Sequence, residues 1–241
     1  NNPVTVKIEA EMTADRIQQT GYMVANEEKI PLLIGLLRKI DAFRTIVFVN
    51  TKRAADEVWG FLEGNGIKTA ILSGDVPQKK RLSLLKRFQN GELDVLVATD
   101  VAARGLHIHD VSHVINYDLP EDVEDYVHRI GRTARAGASG DAISFACETY
   151  AFSLPEIESF IDAKIEMKPV SEDLLAEVDP KSRKRRDKSE RISSKKKTSH
   201  KKHGKGSGKG HANRSGNRRP HNRSSNKPPE RSPEKSGTSK E

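Results

Sequence analysis

Short apolar runs alternate with amphipathic helical segments along roughly the first 165 residues of this 241-residue chain. Residues 45–49 (TIVFV) form one such run, which is typical of a strand buried on both faces. The predicted strands are 45–49, 68–72, 94–98, 111–116 and 142–147, and the predicted helices are 26–40, 51–63, 77–89, 122–130 and 154–163. Strands separated by helices at this spacing predict an α/β fold, with a mainly parallel sheet and helices on both faces.

Polar loops follow four of the predicted strands at the point where each strand ends. These loops are 50–53, 73–81, 99–105 and 116–120. A single loop of this kind is more often a simple cap and turn. Because the carboxyl ends of parallel strands meet at one edge of a sheet, however, we expect the four loops to converge there and to form a binding site.

A histidine and three arginines spaced by three stand close together at His128, Arg129, Arg132 and Arg135. The guanidinium group stays charged and forks onto phosphate oxygens, so this row predicts contact with a polyanion, with a nucleotide as the first candidate. The alternative is that the arginines make surface ion pairs with the carboxylates of residues 121–124.

The charge of the chain divides sharply near Pro180. Up to that residue there are 20 Lys/Arg and 29 Asp/Glu, whereas from Lys181 onward there are 22 and 5. The second part has no aromatic residue and only two aliphatic ones, so it is expected to be a disordered basic tail. Blocks of lysine and arginine attract RNA by counterion release, with low sequence specificity and steep weakening by salt.

Cysteine usage and hydropathy bear on the cellular compartment. Cys147 is the single cysteine, so no disulfide can form within the chain, which suits a reducing cytosol. No apolar stretch approaches 18 residues and no signal peptide is present, so we expect a cytoplasmic protein with no membrane partner. The histidines after residue 199 are scattered without cysteine partners, and no metal site is expected.

Three segments resemble signature motifs of DEAD-box RNA helicases. Residues 47–51 (VFVNT) resemble the fourth motif, 97–106 (VATDVAARGL) the fifth, and 128–137 (HRIGRTARAG) the sixth. Their order and spacing are similar to those of the C-terminal RecA-like domain of that family, over about residues 1–168. The resemblance implies a RecA-like three-layer sandwich, with a linker or lead-in strand at 1–12, the domain at 13–168 and the basic tail at 169–241.

Two motifs of a complete helicase do not occur in this chain: a G-x-x-x-x-G-K-[ST] loop and an Asp-Glu-Ala-Asp run. Since the chain also starts at Asn1, we expect it to be the C-terminal half of an ATP-dependent RNA helicase. The resemblance implies that an N-terminal RecA-like domain of the same protein holds ATP with Mg²⁺. This chain alone is then predicted to be inactive.

The resemblance also implies roles for individual residues. Arg132 and Arg135 match the arginine fingers that contact ATP, His128 matches the residue that couples the two domains, and Arg129 holds the motif together. His107 stands where the family usually has an aspartate that contacts the ATP ribose. Ala134 replaces a usual glycine, and we expect it to be helical here.

The RNA contacts implied by the resemblance are Ser73, Gly74, Gln78, Arg81, Thr99, Arg104 and Gly105. Contacts of small residues and helix-initiating amides with phosphates position a strand without reading its sequence, so this surface should be largely indifferent to RNA sequence. Arg104 has a second interpretation, an ion pair with Asp100 that locks the fifth motif.

A closer likeness, to the bacterial degradosome member of the family, rests on the runs 74–81, 103–108 and 153–158. It implies a role in RNA degradation, with the endonuclease RNase E as a partner. The alternative function is a non-catalytic RNA-binding scaffold that docks a ribonuclease.

Overall fold

The computed structural model describes residues 17–40, 44–104, 108, 111–134 and 140–186. The strands are β1 (Ile17–Met23), β2 (Thr45–Phe48), β3 (Thr69–Leu72), β4 (Val95–Ala98), β5 (His113–Asn116), β6 (Gly140–Ala146) and β7 (Glu166–Pro169). The helices are α1 (Lys29–Lys39), α2 (Lys52–Gly64), α3 (Gln78–Gln89), α4 (Asp100–Ala103), α5 (Val123–Ile130) and α6 (Leu154–Ile161). Within the described residues the strands form one seven-stranded sheet in the order β3-β4-β2-β5-β6-β1-β7, with every pairing parallel.

An apolar core covers each face of this sheet, and strand β2 contributes side chains to both cores. Val47 packs into the core under α1 and α2. Its neighbours Ile46 and Phe48 pack into the opposite core, under α3. All three side chains are at most 1% exposed, because successive side chains of a strand point to opposite faces and both faces are covered by helices. The predicted α/β fold is therefore confirmed.

The five predicted strands and five predicted helices are all present. Most of their ends agree to within two residues, and the first helix begins with a 3-10 turn at Asn26–Glu28 before α1. Sequence analysis missed β1 and β7. Strand β1 (IQQTGYM) carries glutamine, threonine and glycine, and β7 (EMKP) lies at a sheet edge with exposed ends, so neither presents an apolar run. The lead-in strand predicted at 1–12 lies outside the described residues.

Residues 170–186, called the strap below, pack against the domain beyond the limit drawn at 168. Leu174, Leu175 and Val178 contact the core under α1 and α2. Two 3-10 turns, Glu172–Leu174 and Pro180–Ser182, shape this segment. The described domain therefore continues to Arg186, while the rest of the predicted tail lies outside the described residues.

Ala134 adopts a left-handed backbone with φ of 53°, so the expectation of a helical residue was wrong. Helix α5 ends at Ile130, and Thr133 then anchors the chain because its Oγ1 donates to Val111 O at 2.6 Å. The chain turns immediately after this anchor. Left-handed backbone costs an L-residue about 1–2 kcal/mol, a cost that glycine would avoid.

None of the helices in the described ranges has both the length and the apolar character needed to span a membrane.

We predict that Ala134→Gly raises the free energy of unfolding by about 0.5 kcal/mol. Relief of the left-handed strain is partly offset by the greater freedom of glycine in the unfolded chain and by loss of the methyl contacts. Urea denaturation measures the change. Ala55→Gly, in the first turn of α2, is the matched control and should lower stability by about 1 kcal/mol or more, because it loses a buried methyl group as well as helix propensity. If both substitutions lower the free energy of unfolding, the claim that the backbone at Ala134 is strained is wrong.

Candidate functional site

The four polar loops predicted to converge lie at one edge of the sheet. They follow β3, β4, β2 and β5, which are consecutive neighbours in the sheet and all run in the same direction. Their polar side chains therefore meet above the carboxyl ends of these strands, as expected for a parallel sheet.

Arg129, on the last turn of α5, lies at the centre of this edge and is only 1% exposed. Its Nε and Nη2 donate to the two carboxylate oxygens of Asp100, each at 2.7 Å. Nη2 also donates to Asn50 Oδ1 at 2.8 Å, and Nη1 donates to Asp118 O at 2.6 Å and to Asn116 Oδ1 at 3.4 Å. These bonds satisfy all five N–H groups of the guanidinium, so Arg129 holds together the ends of β2, β4 and β5. The structure is thus consistent with the motif-holding role expected for it.

A second buried cation, Lys29, extends this network to α1. Asp118 accepts from the backbone N of Asn50 at 3.0 Å through one oxygen and from Lys29 Nζ at 2.6 Å through the other. Lys29 is 3% exposed, and its ammonium lies 4.1 Å from the centre of the Tyr117 ring. Burial, reinforced by the Asp118 carboxylate, raises the pKa of Tyr117 well above its ordinary value, so the ring facing Lys29 is a neutral phenol. Sequence analysis missed Lys29, because a lysine at the start of a helix is ordinarily exposed.

An open cleft of about 280 Å³ lies beside Arg129. The residues that line it are Phe48, Asp100, Ala103, Arg104, Asp125, His128, Arg129 and Arg132. Arg132 is half-buried, and its Nε donates to the backbone O of His128 at 3.1 Å. The predicted residues His128 and Arg132 are therefore brought together on one wall of the cleft, with the Arg129–Asp100 pair behind them.

Arg104 lies at the mouth of the cleft, where its Nη2 pairs with Asp125 Oδ1 at 2.6 Å. This hydrogen bond raises the pKa of Arg104 further, so the guanidinium is charged at every physiological pH. The alternative pairing of Arg104 with Asp100 is not observed, because Asp100 is bound by Arg129. His128 also approaches this carboxylate, with Nδ1 3.8 Å from Asp125 Oδ1.

The residues predicted to contact RNA surround the turn between β3 and α3. Arg81 donates to three backbone carbonyls there: Val76 O at 2.9 Å, Gly74 O at 3.2 Å and Ser73 O at 3.4 Å. Ser73 is buried, whereas Gly74 and Gln78 are exposed. Arg81 therefore shapes the turn from within, and Gly74 and Gln78 present its surface.

Two further residues, Thr99 and Lys52, lie beside this turn. Thr99 is the N-cap of α4 and is 7% exposed, and its carbonyl accepts hydrogen bonds from the amides of Ala102 and Ala103. Lys52, which sequence analysis did not single out, pairs with Asp75 at 2.7 Å across the same turn. Arg135, His107 and Gly105 lie outside the described residues.

Comparison with known proteins agrees with this geometry. The family model "Helicase conserved C-terminal domain" matches residues 28–137. The ATP-dependent RNA helicase RhlB of Xanthomonas axonopodis pv. citri is 59% identical over 176 residues, which are 73% of this chain and 31% of that relative. The DEAD-box protein SrmB of E. coli, solved bound to regulator of ribonuclease activity A, has a TM-score of 0.63 and 41% identity over 68% of this chain and 96% of that one.

A third similar protein is Dbp5 of S. cerevisiae, solved bound to RNA and ADP BeF3. It has a TM-score of 0.59 and 38% identity over 65% of this chain and 42% of that one. The chain belongs to the DEAD-box RNA helicase family and contains its RecA-like C-terminal domain. It spans about a third of the length of the RhlB relative.

We predict that two neighbouring arginines of the row differ sharply in their effect on stability. Arg129→Ala removes the partner of a buried carboxylate and should lower the free energy of unfolding by about 3–5 kcal/mol. Arg132→Ala changes a half-exposed side chain and should cost less than about 1 kcal/mol. Denaturant unfolding of both variants measures the difference. Equal losses in the free energy of unfolding would contradict the conclusion that Arg129 holds the loops together while Arg132 mainly lines the cleft.

Proposed function

We propose that the chain is the C-terminal half of an ATP-dependent RNA helicase that couples RNA-stimulated ATP hydrolysis to local unwinding of RNA duplexes. Its main partner is an ATP-binding RecA-like domain of the same protein, which closes onto the cleft when ATP and RNA bind. The observation that carries the proposal is the placement of His128 and Arg132 on an open cleft backed by the fully paired Arg129.

Arg132 is suited to act as an arginine finger on ATP. In phosphoryl transfer, negative charge spreads over the γ-phosphate oxygens, and a guanidinium supplied by a second domain stabilises it. The Nε of Arg132 is anchored to the His128 carbonyl, which directs the side chain along the cleft wall without burying it. Arg135 is proposed as the second finger from its place in the motif, and His128 as the residue that couples the two domains.

The remaining nucleotide contacts are assigned to the partner domain. Among the residues that the structure describes, no group of His, Cys, Asp and Glu is arranged to hold a metal ion, and the sequence has no phosphate-binding loop. ATP phosphates and Mg²⁺ would therefore be bound by the ATP-binding domain. His107 is proposed to replace the usual aspartate near the ribose, where an imidazole can donate or accept a hydrogen bond.

RNA is proposed to bind along the turn formed by residues 73–81 and the loop formed by residues 99–105. Exposed Gly74 and Gln78, together with the start of α4 at Thr99, offer small side chains and backbone groups to phosphates. Dbp5, which is 38% identical over the matched region, is solved bound to RNA and ADP BeF3, and this supports RNA as the ligand.

The biological setting proposed is RNA degradation in the cytoplasm, with RNase E as a partner. The 59% identity to an RhlB supports it. The second candidate, a non-catalytic scaffold that docks a ribonuclease, uses the basic tail and the outer surface of the domain. Charge reversal of the tail should impair a scaffold most, whereas loss of Arg132 should impair an enzyme most.

We predict that Arg132→Ala lowers RNA-stimulated ATP turnover by about a thousandfold in the chain joined to its ATP-binding domain, because transition-state charge loses its partner. The assay is steady-state phosphate release at saturating RNA. Arg38→Ala, an exposed arginine on the far turn of α1, is the control and should retain full turnover. If Arg132→Ala keeps its ATP turnover and its RNA binding is unchanged, the arginine row has a structural role and not a catalytic one.

We also predict that Gln78→Ala weakens binding of single-stranded RNA by about tenfold or more, the loss expected for one hydrogen bond to a charged phosphate. Fluorescence anisotropy with labelled RNA measures it. Gln89→Ala removes the same side chain from the opposite end of α3 and should leave affinity unchanged. Equal effects of the two substitutions would argue against an RNA surface at the 73–81 turn.

A further inference from the structure

The strap is seated on three glycines in the middle or last turn of helices. A Cβ atom added at Gly35 of α1 would lie 1.8 Å from Leu174 O. One added at Gly60 of α2 would lie 2.4 Å from Lys184 O, and one at Gly64 would lie 1.8 Å from Ser182 O. Glycine costs a helix about 1 kcal/mol relative to alanine. These glycines are therefore explained by close approach of the strap backbone.

Backbone hydrogen bonds and apolar contacts hold the strap in this seat. Ala176 N donates to Pro31 O at 3.1 Å, and Lys184 N donates to Gly60 O at 2.9 Å. Leu174 and Val178 reach the core between the helices. The strap is thus a fixed part of the domain surface as far as Arg186.

The second half of the strap runs along α2 toward the RNA-binding edge. Ser182 lies against Gly64, Lys184 against Gly60, and Arg186 pairs with Asp56 at 2.9 Å. Each step of two strap residues covers one helical turn, about 5.4 Å, toward the start of α2. The next turn of that helix begins at Lys52, which pairs with Asp75 beside the proposed RNA turn.

This half of the strap is strongly basic. Residues 181–186 (KSRKRR) contain five cations in six positions. Lys184 and Arg186 pair with Glu63 and Asp56. Arg183 and Arg185 are exposed, and the Arg183 guanidinium lies 5.9 Å from the centre of the Phe61 ring. Arg186 also lines a groove of about 190 Å³ together with Val76, Lys80 and Arg87, which places the end of the strap beside α3.

We propose that the seated strap is an additional RNA-binding element that grips the phosphate backbone of a single strand passing from the 73–81 turn along the flank of α2 and α3. The ligand class is a phosphodiester chain, because Arg183 and Arg185 present exposed guanidinium groups from a backbone that is held on α2, and guanidinium groups bind phosphates. This inference rests on the proposed RNA-binding function.

The test uses one pair of substitutions that changes the charge of the strap and another pair that changes its position. Arg183→Gln/Arg185→Gln removes two cations and keeps the backbone bond from Lys184 N to Gly60 O, although the Arg183 guanidinium loses its contact with the Phe61 ring. Gly60→Ala/Gly64→Ala keeps every charge, but the added methyl groups displace residues 182–184 from α2. Alanine preserves the helix. Affinity for a single-stranded homopolymeric RNA is measured against salt concentration for the full chain, both double variants and their combination. Faster trypsin cleavage after Lys181 and Lys184, which are present in every variant, checks the displacement, and thermal unfolding checks the fold.

We expect the arginine pair to weaken binding at least threefold and to reduce the log–log salt slope by about 1.4, the value for two phosphate contacts on a single strand. In the Gly60→Ala/Gly64→Ala background the same pair should change the slope by less than half as much. An unchanged slope in the seated chain, or equal losses in both backgrounds, overturns the proposal. Gln78→Ala measured in parallel distinguishes the two failures: if it weakens binding while the strap variants do not, only the strap inference fails. If the full chain binds no RNA, the proposed function fails with it.

Discussion

The buried guanidinium of Arg129 is the interaction on which the functional edge depends. A charge in this position would cost several kcal/mol if it were unpaired, and the structure compensates it with Asp100 and with oxygens of Asn50, Asn116 and Asp118. These partners end three different strands, so satisfying one side chain fixes the relative positions of three loops. Because Arg129 belongs to the same chain segment as His128 and Arg132, it also fixes the wall of the cleft.

The spacing of three in the arginine row gives Arg129 and Arg132 different surroundings. Arg129 lies in the last turn of α5 and is buried against the strand ends, whereas Arg132 follows the helix end and lines the open cleft. An arginine finger needs this combination, because its guanidinium must be accessible to a second domain while its backbone is held in place. The ion pair between Lys29 and Asp118 connects α1 to the same network of hydrogen bonds. The loops around the cleft are therefore held by side chains from two helices, α1 and α5.

Sequence patterns predicted the interior strands of the sheet and the edge at which the polar loops meet, but not the buried Lys29 or the contacts of the strap. Apolar runs such as 45–49 identify buried strands directly, and polar loops after them identify the edge. Burial of Lys29 and the seating of the strap on Gly60 depend on contacts between distant segments, which local patterns do not reveal. Ala134 was misassigned for a related reason: its backbone is set by the tertiary anchor of Thr133, against the helical preference of alanine.

The central claim is that Arg132 reaches the terminal phosphate of ATP held by a second domain. The most direct measurement is a crystal structure of the chain joined to its ATP-binding domain, with single-stranded RNA and ADP–BeF3 as the γ-phosphate mimic. The account predicts that the Arg132 guanidinium lies at hydrogen-bond distance, about 3 Å, from the fluorides, while Arg129 keeps its pairing with Asp100. A closed complex in which Arg132 stays away from the mimic would contradict it.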